Sequence, residues 1–136
     1  MSRIVGLDPG TVRIGVAVSD PMFVTAQPHG NLAADAEDLD DRLRDLAAET
    51  EAERFVVGLP IGLDGREGAA AGRSRELAAR VAEATGLPVD LYDERFSTVT
   101  AERVLVSAGV RRSRRKVARD RVAAAVFLQA YLDGRR

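Results

Sequence analysis

Arg3-Ile4-Val5-Gly6-Leu7-Asp8-Pro9-Gly10-Thr11-Val12-Arg13-Ile14-Gly15-Val16-Ala17-Val18-Ser19 opens the chain with two apolar runs joined by a short turn. Arg3 to Asp8 and Val12 to Ser19 read as strands, because they are rich in β-branched residues and Pro9-Gly10 breaks the run between them. So short a connection cannot hold a helical crossover, so the two strands pair antiparallel. In the first strand Val5 and Leu7 share one side, and Ile4, Gly6 and Asp8 share the other. Both sides are apolar up to the carboxylate, so both are expected to be buried, with Asp8 ending the strand.

Working outward, Asp20-Pro21 marks another turn, and Phe23 to Gln27 reads as a third strand completing a meander. Asp35 is placed to cap a helix in which Ala36, Leu39, Leu43, Leu46, Ala47 and Thr50 recur at helical spacing. Arg54 to Leu59 is a buried strand closed by Pro60, and a Gly-rich loop leads to a helix from about Ala69 to Thr85 that stops at Gly86. Pro88 to Tyr92 is the fifth strand. Ser97 or Thr98 caps a helix that stops at Gly109, and a last helix runs from Val117 to about Leu132. A meander followed by helix-connected strands predicts an α/β fold: a ribonuclease H-like mixed five-stranded sheet, antiparallel in its first three strands and parallel thereafter, with helices on both faces.

At 136 residues the chain fits one domain, residues 1–136. Hydrophobic residues make up 46% and charged residues 30%, an ordinary globular composition. No apolar run reaches the ~18 residues needed to span a bilayer, and the first residues read as a strand rather than a signal peptide, so a cytoplasmic location is expected. Cysteine is absent and His29 is the only histidine, so any metal must sit on oxygen ligands. The net charge of −1 conceals strong segregation. Asp35 to Glu53 is acidic apart from Arg42 and Arg44, whereas Arg111, Arg112, Arg114, Arg115, Lys116, Arg119 and Arg121 leave Asp120 as the only acid in its stretch. Such a basic cluster can neutralise phosphates and release counterions, although it can also be a solvated helix face.

Three carboxylates are set apart by position. Asp8 precedes a Gly turn at the carboxyl end of a strand, where open α/β sheets bind ligands, although the same residues also suit a simple turn. Glu94 follows the fifth strand, at the same edge of the sheet if that strand runs parallel to the first. Asp120 continues an apolar helical stripe through Val117, Ala124, Phe127 or Leu128, and Tyr131, so it faces the core and needs a partner. Ala123, Ala124 and Ala125 let that helix approach the sheet and bring Asp120 toward the other two acids. Converging ionised carboxylates repel one another without a divalent cation, and all-oxygen ligation suits Mg²⁺ or Mn²⁺.

The opening motif, Gly6 to Asp20, resembles that of the YqgF/RuvX family. Val57-Gly58-Leu59-Pro60 with Asp64-Gly65, Asp93-Glu94-Arg95-Phe96-Ser97-Thr98 with Ala101-Glu102, and Lys116 to Leu132 resemble its other blocks in the same order, and together they span nearly the whole chain. The resemblance implies a bacterial protein related to Holliday-junction resolvases: a nuclease for 5′-end maturation of pre-16S rRNA, with Asp8, Glu94 and Asp120 as its catalytic metal ligands. It implies two-metal hydrolysis of a phosphodiester, with nucleic acid as partner in the form of pre-16S rRNA, the pre-ribosome or branched DNA. Thr11 and Arg13 are placed to contact the scissile phosphate, although Arg13 also suits a strand position paired to a sheet neighbour. Arg111, Arg112, Arg114, Arg115 and Lys116 are placed to bind the backbone.

Two rival readings come from other classes. The Asp8 to Thr11 turn also resembles the phosphate loop of sugar-kinase and actin-type ATPases, which need two such domains. A non-catalytic RNA-binding module would make the acids structural. Pre-rRNA and a four-way DNA junction are both read through backbone and shape, so the sequence leaves the substrate open, along with the choice between monomer and homodimer.

Overall fold

In the computed structural model, residues 2–62, 64–94 and 112–135 are described, with residues 112–121 described by their backbone alone. Strands β1 (Arg3–Pro9), β2 (Arg13–Ser19) and β3 (Ala26–Ala33) are followed by helix α1 (Leu39–Thr50), strand β4 (Ala52–Leu59), helix α2 (Ala69–Thr85), strand β5 (Val89–Asp93) and helix α3 (Arg112–Gly134). The sheet order is β3-β2-β1-β4-β5. β1 pairs antiparallel with β2, and β2 with β3, while β1, β4 and β5 run parallel. This is the mixed five-stranded sheet expected from the sequence.

The alternation read in β1 divides two cores. Val5 and Leu7 join Ile14, Val16, Phe55 and Val57 beneath Leu39, Leu43 and Leu46 of α1 and Leu77 and Val81 of α2. Ile4 joins Ala17 and Val56 beneath Ala124, Phe127, Leu128 and Leu132 of α3. Helices therefore cover both faces. On the α3 side the helix comes down onto bare backbone: a Cβ built on Gly6 would lie 3.1 Å from Leu128 Cβ. The far end of α3 is pinned. Tyr131 donates its hydroxyl to Asp90 Oδ2 at 2.5 Å, and Arg54 Nη1 donates to the same oxygen at 2.9 Å. Burial, followed by that carboxylate, pushes the Tyr131 phenol above its ordinary range.

Three elements depart most from the sequence expectation. The third strand runs Ala26–Ala33 rather than Phe23 to Gln27, and it starts late because the Asp20 carboxylate accepts the backbone N–H groups of Met22, Val24 and Thr25. Those groups are taken from any ladder, Phe23 is left-handed at φ 58°, and the segment curls into a loop. The Thr25 N–H is the largest influence holding the Asp20 carboxyl below the usual carboxylate range. The first helix begins at Leu39, not after Asp35: Asp38 occupies the cap position, and its carboxylate accepts from Arg42 Nε instead of a backbone N–H. The last helix starts at Arg112, so much of the basic segment is helix rather than an approach to it. By contrast, α2 runs from Ala69 to Thr85 and stops at Gly86 with φ 70°, as the sequence indicates. The helix expected after Ser97 lies outside the described residues.

Gly6→Ala tests the close approach of α3. In a strand, alanine is ordinarily the better residue by roughly 0.5–1 kcal/mol, but here its methyl meets a backbone-anchored Cβ at 3.1 Å. Urea unfolding should show a net loss of about 1–3 kcal/mol. Unchanged or increased stability would mean that α3 sits farther from the sheet.

Candidate active site

Asp8 lies on the α3 side of β1, and its neighbours across the sheet carry no side chain. Gly15 pairs with it on β2. The parallel register Leu7↔Val57 continues to set Asp8 beside Gly58 on β4. The carboxylate thus rises between two bare stretches of backbone at the carboxyl ends of the parallel strands. Here a sheet of this kind opens a crevice for ligands.

Glu94 fills one of those spaces. A Cβ on Gly58 would lie 2.2 Å from Glu94 Oε1 and 2.7 Å from its Cδ, so the carboxylate is laid directly over the Gly58 α-carbon. It is positioned by continuation of the sheet, its N–H donating to Leu59 O at 3.1 Å. Its side chain extends from the strand bearing Tyr92, which pairs with Gly58. Glu94 is only 8% exposed. Neighbouring strands are about 4.8 Å apart, so a nearly buried carboxylate and Asp8 stand in adjacent tracks on one face. That arrangement is costly for two anions unless positive charge is shared between them.

The direction of α3 places the third candidate. Tyr131 reaches Asp90 near the start of β5, and the Phe127 ring stacks 6.3 Å from Tyr92 two residues farther along that strand. Stepping one helical turn toward the N-terminus therefore moves one pleat toward the carboxyl ends of the strands. Ala124 and Ala123, 0% and 9% exposed, follow on that path. Asp120 stands one turn before Ala124, at the level of the strand ends; its side chain lies outside the described ones. Among the described residues no three acidic or histidine side chains form a metal site.

Thr11 is exposed in the β1–β2 turn, and Arg13 is half-buried on the same face of β2 as Gly15, one pleat nearer the sheet edge. Arg111 lies outside the described residues. Arg112, Arg114, Arg115 and Lys116 open α3, whose first turn holds no acid. Cations there oppose the helix dipole, so local helix stability does not account for them. His29 pairs with Glu49 at 3.0 Å, away from the acids. Gly58 and Gly15 flank Asp8, and Gly58 seats Glu94, a placement not assigned from the sequence. The signal was present: a glycine inside a buried strand such as Phe55-Val56-Val57-Gly58-Leu59 marks close approach of another group.

A family model described as RuvX, Holliday junction resolvase, matches residues 2–134. A protein of Syntrophomonas wolfei, provisionally named a pre-16S rRNA nuclease, is 47% identical, the match covering 97% of this chain and 94% of that one. One of Geobacillus kaustophilus with the same provisional name is 45% identical over 98% and 99%. Among solved structures, Thermus thermophilus RuvC in complex with a Holliday junction substrate gives a TM-score of 0.59 at 18% identity, covering 99% of this chain and 96% of that one. The fowlpox virus Holliday junction resolvase gives 0.56 at 12%, covering 97% and 99%. These structural likenesses show the fold, which is ribonuclease H-like.

Gly58→Ala isolates the cradle. The added methyl must displace the Glu94 carboxylate, so Mn²⁺ is expected to raise the melting temperature of the original chain but not that of the variant, while circular dichroism stays native. An undiminished Mn²⁺ response would remove Glu94 from the metal set.

Proposed function

The chain belongs to the RuvX family, and from that membership and the paired carboxylates we propose that it is a metal-dependent nuclease acting in 5′-end maturation of pre-16S rRNA. The observation that carries this reading is the seating of Glu94 over Gly58, beside Asp8, at the carboxyl ends of the strands. The provisional names of relatives at 45–47% identity over nearly their whole length support the choice of substrate. The donors are hard oxygens, which fit Mg²⁺ or Mn²⁺.

Asp8 and Glu94 would hold the ions, and Asp120 completes the proposed set. Divalent ions held there supply the Lewis acidity that phosphodiester hydrolysis requires. Arg13 and the Thr11 hydroxyl are proposed to bind the phosphate being cut. The basic start of α3 draws the nucleic-acid backbone to the same pole. Meanwhile α1, with its exposed Asp41 and Glu49, packs on the opposite face of the sheet and repels a backbone from behind. The family description favours a second substrate, a four-way DNA junction. Incubation with Mn²⁺ and both nucleic acids side by side chooses between them: cleavage of precursor 16S RNA at the mature 5′ end is expected, and cleavage of the junction alone would overturn the rRNA assignment.

Asp8→Asn should abolish cleavage in that assay while leaving RNA affinity equal or higher, because it removes an ion ligand and a charge that repels phosphate. Residual metal-dependent cleavage near the original rate would contradict the role given to Asp8. Replacing Arg111, Arg112, Arg114 and Arg115 with alanine should act conversely. The slope of log affinity against log salt should flatten by about one unit per lost phosphate contact. An unchanged slope would make the segment a solvated face.

A further inference from the structure

Behind the Asp8 turn, on the opposite side of the sheet, lies a cleft of about 200 Å³ between the turn and α2. Consecutive residues of one strand point to opposite faces, so while Asp8 faces α3, Pro9 lines this cleft together with Gly10. Its floor is aliphatic: Ile14, Leu39 and Leu77 are each almost fully buried. Its rim carries Arg73, Glu76 and Arg80.

The rim charges are not paired as their spacing allows. Arg73 and Glu76 stand three apart on one helix, where opposite charges commonly bridge. Among the described residues, however, neither has an ion-pair partner, whereas nearby Arg75 is held by Glu67 at 2.7 Å and Arg80 by Asp40 at 2.6 Å. A cation and an anion are thus left at the mouth of an apolar slot. The Asp8 carboxylate lies on the other face of the sheet, and Pro9, the next residue, walls the slot, so a nucleic-acid strand passing over the end of β1 reaches both.

We propose that this cleft receives an unpaired nucleotide next to the phosphodiester being cut, with its base against Pro9 and the aliphatic floor. The proposal rests on the nuclease reading. The planar guanidinium of Arg73 stacks on the base, a role that arginine fills where aromatic platforms are lacking. Among the described residues no aromatic side chain lines the slot, and Phe55 and Phe127 are wholly buried elsewhere. The Glu76 carboxylate accepts from an exocyclic amino group, which favours cytosine, adenine or guanine over uracil. A base held in a duplex cannot enter, so the cleft selects a strand end, loop or overhang.

The test uses the full chain and two labelled RNA duplexes, one blunt and one with an unpaired cytidine beside the cleavage position. Anisotropy in Ca²⁺ reads binding, and Mn²⁺ reads cleavage. Arg73→Ala, and Ala34→Met at a further residue lining the slot, should each weaken binding of the overhanging RNA by about 5- to 10-fold and leave the blunt duplex unchanged. Arg73→Lys, which keeps the charge but loses the plane, should not restore it. Equal loss on both duplexes, no loss on either, or full rescue by lysine overturns the proposal. If the variants lose overhang binding but the original chain cleaves nothing, the nuclease reading fails and the cleft stands. If cleavage is normal and the variants are indifferent, the reverse holds.

Discussion

Everything on the α3 face depends on strands that present bare backbone there. Gly6 lets Leu128 settle at a distance that a methyl group would violate, and Gly58 leaves the space in which the Glu94 carboxylate lies. Gly15 keeps the other side of Asp8 clear. A methyl at Gly6 would press Leu128 back by a few tenths of an ångström, and one at Gly58 would evict the acid. Interiors are close-packed, so the first displacement carries a cost in stability. The glycines weaken their strands through backbone entropy, and the gain is a depth at which carboxylates from β1 and from the end of β5 share one surface.

The helix that closes this face is anchored at one end and charged at the other. Tyr131 and Arg54 converge on Asp90, and Gln129 donates to Val24 O while accepting from the Ala26 N–H. These contacts fix the axis of α3 against the start of β5 and the start of β3. Its opposite end, rich in arginine and free of acid in the first turn, lies toward the carboxyl ends of the strands. Helix dipole and side-chain charge have the same sign there. With the acids of α1 on the other side of the sheet, a chain of net charge −1 becomes a polar object with one face suited to a polyanion.

The strands of the sheet and the helices on its two faces were legible because periodicity reports burial: Val5 and Leu7 against Ile4 and Gly6 is a two-sided strand in any reading. The Gly86 stop of α2 was equally plain. Phe23 to Gln27 misled because its apolar residues suggested a strand, while the deciding interaction was a single Asp20 side chain capturing backbone donors. The start of α3 misled because a cluster of arginines argues against a helix N-terminus on electrostatic grounds, and the fold accepts that cost. The candidate acids could be picked out by their positions at strand ends and on an apolar stripe. What the sequence left open was the contact between elements, above all that Gly58 is a seat for Glu94, since register between β4 and β5 is set by packing and not by local propensity.

Asp8 and Glu94 are proposed to act as one oxygen cradle for divalent metal. Anomalous diffraction from crystals grown with Mn²⁺ and an uncleavable RNA tests it most directly. A Mn²⁺ peak is expected on the α3 face within bonding distance of a carboxylate oxygen of each residue, above the backbone between Gly15 and Gly58. Mn²⁺ bound only elsewhere, in crystals of a chain that cleaves RNA in solution, would contradict it.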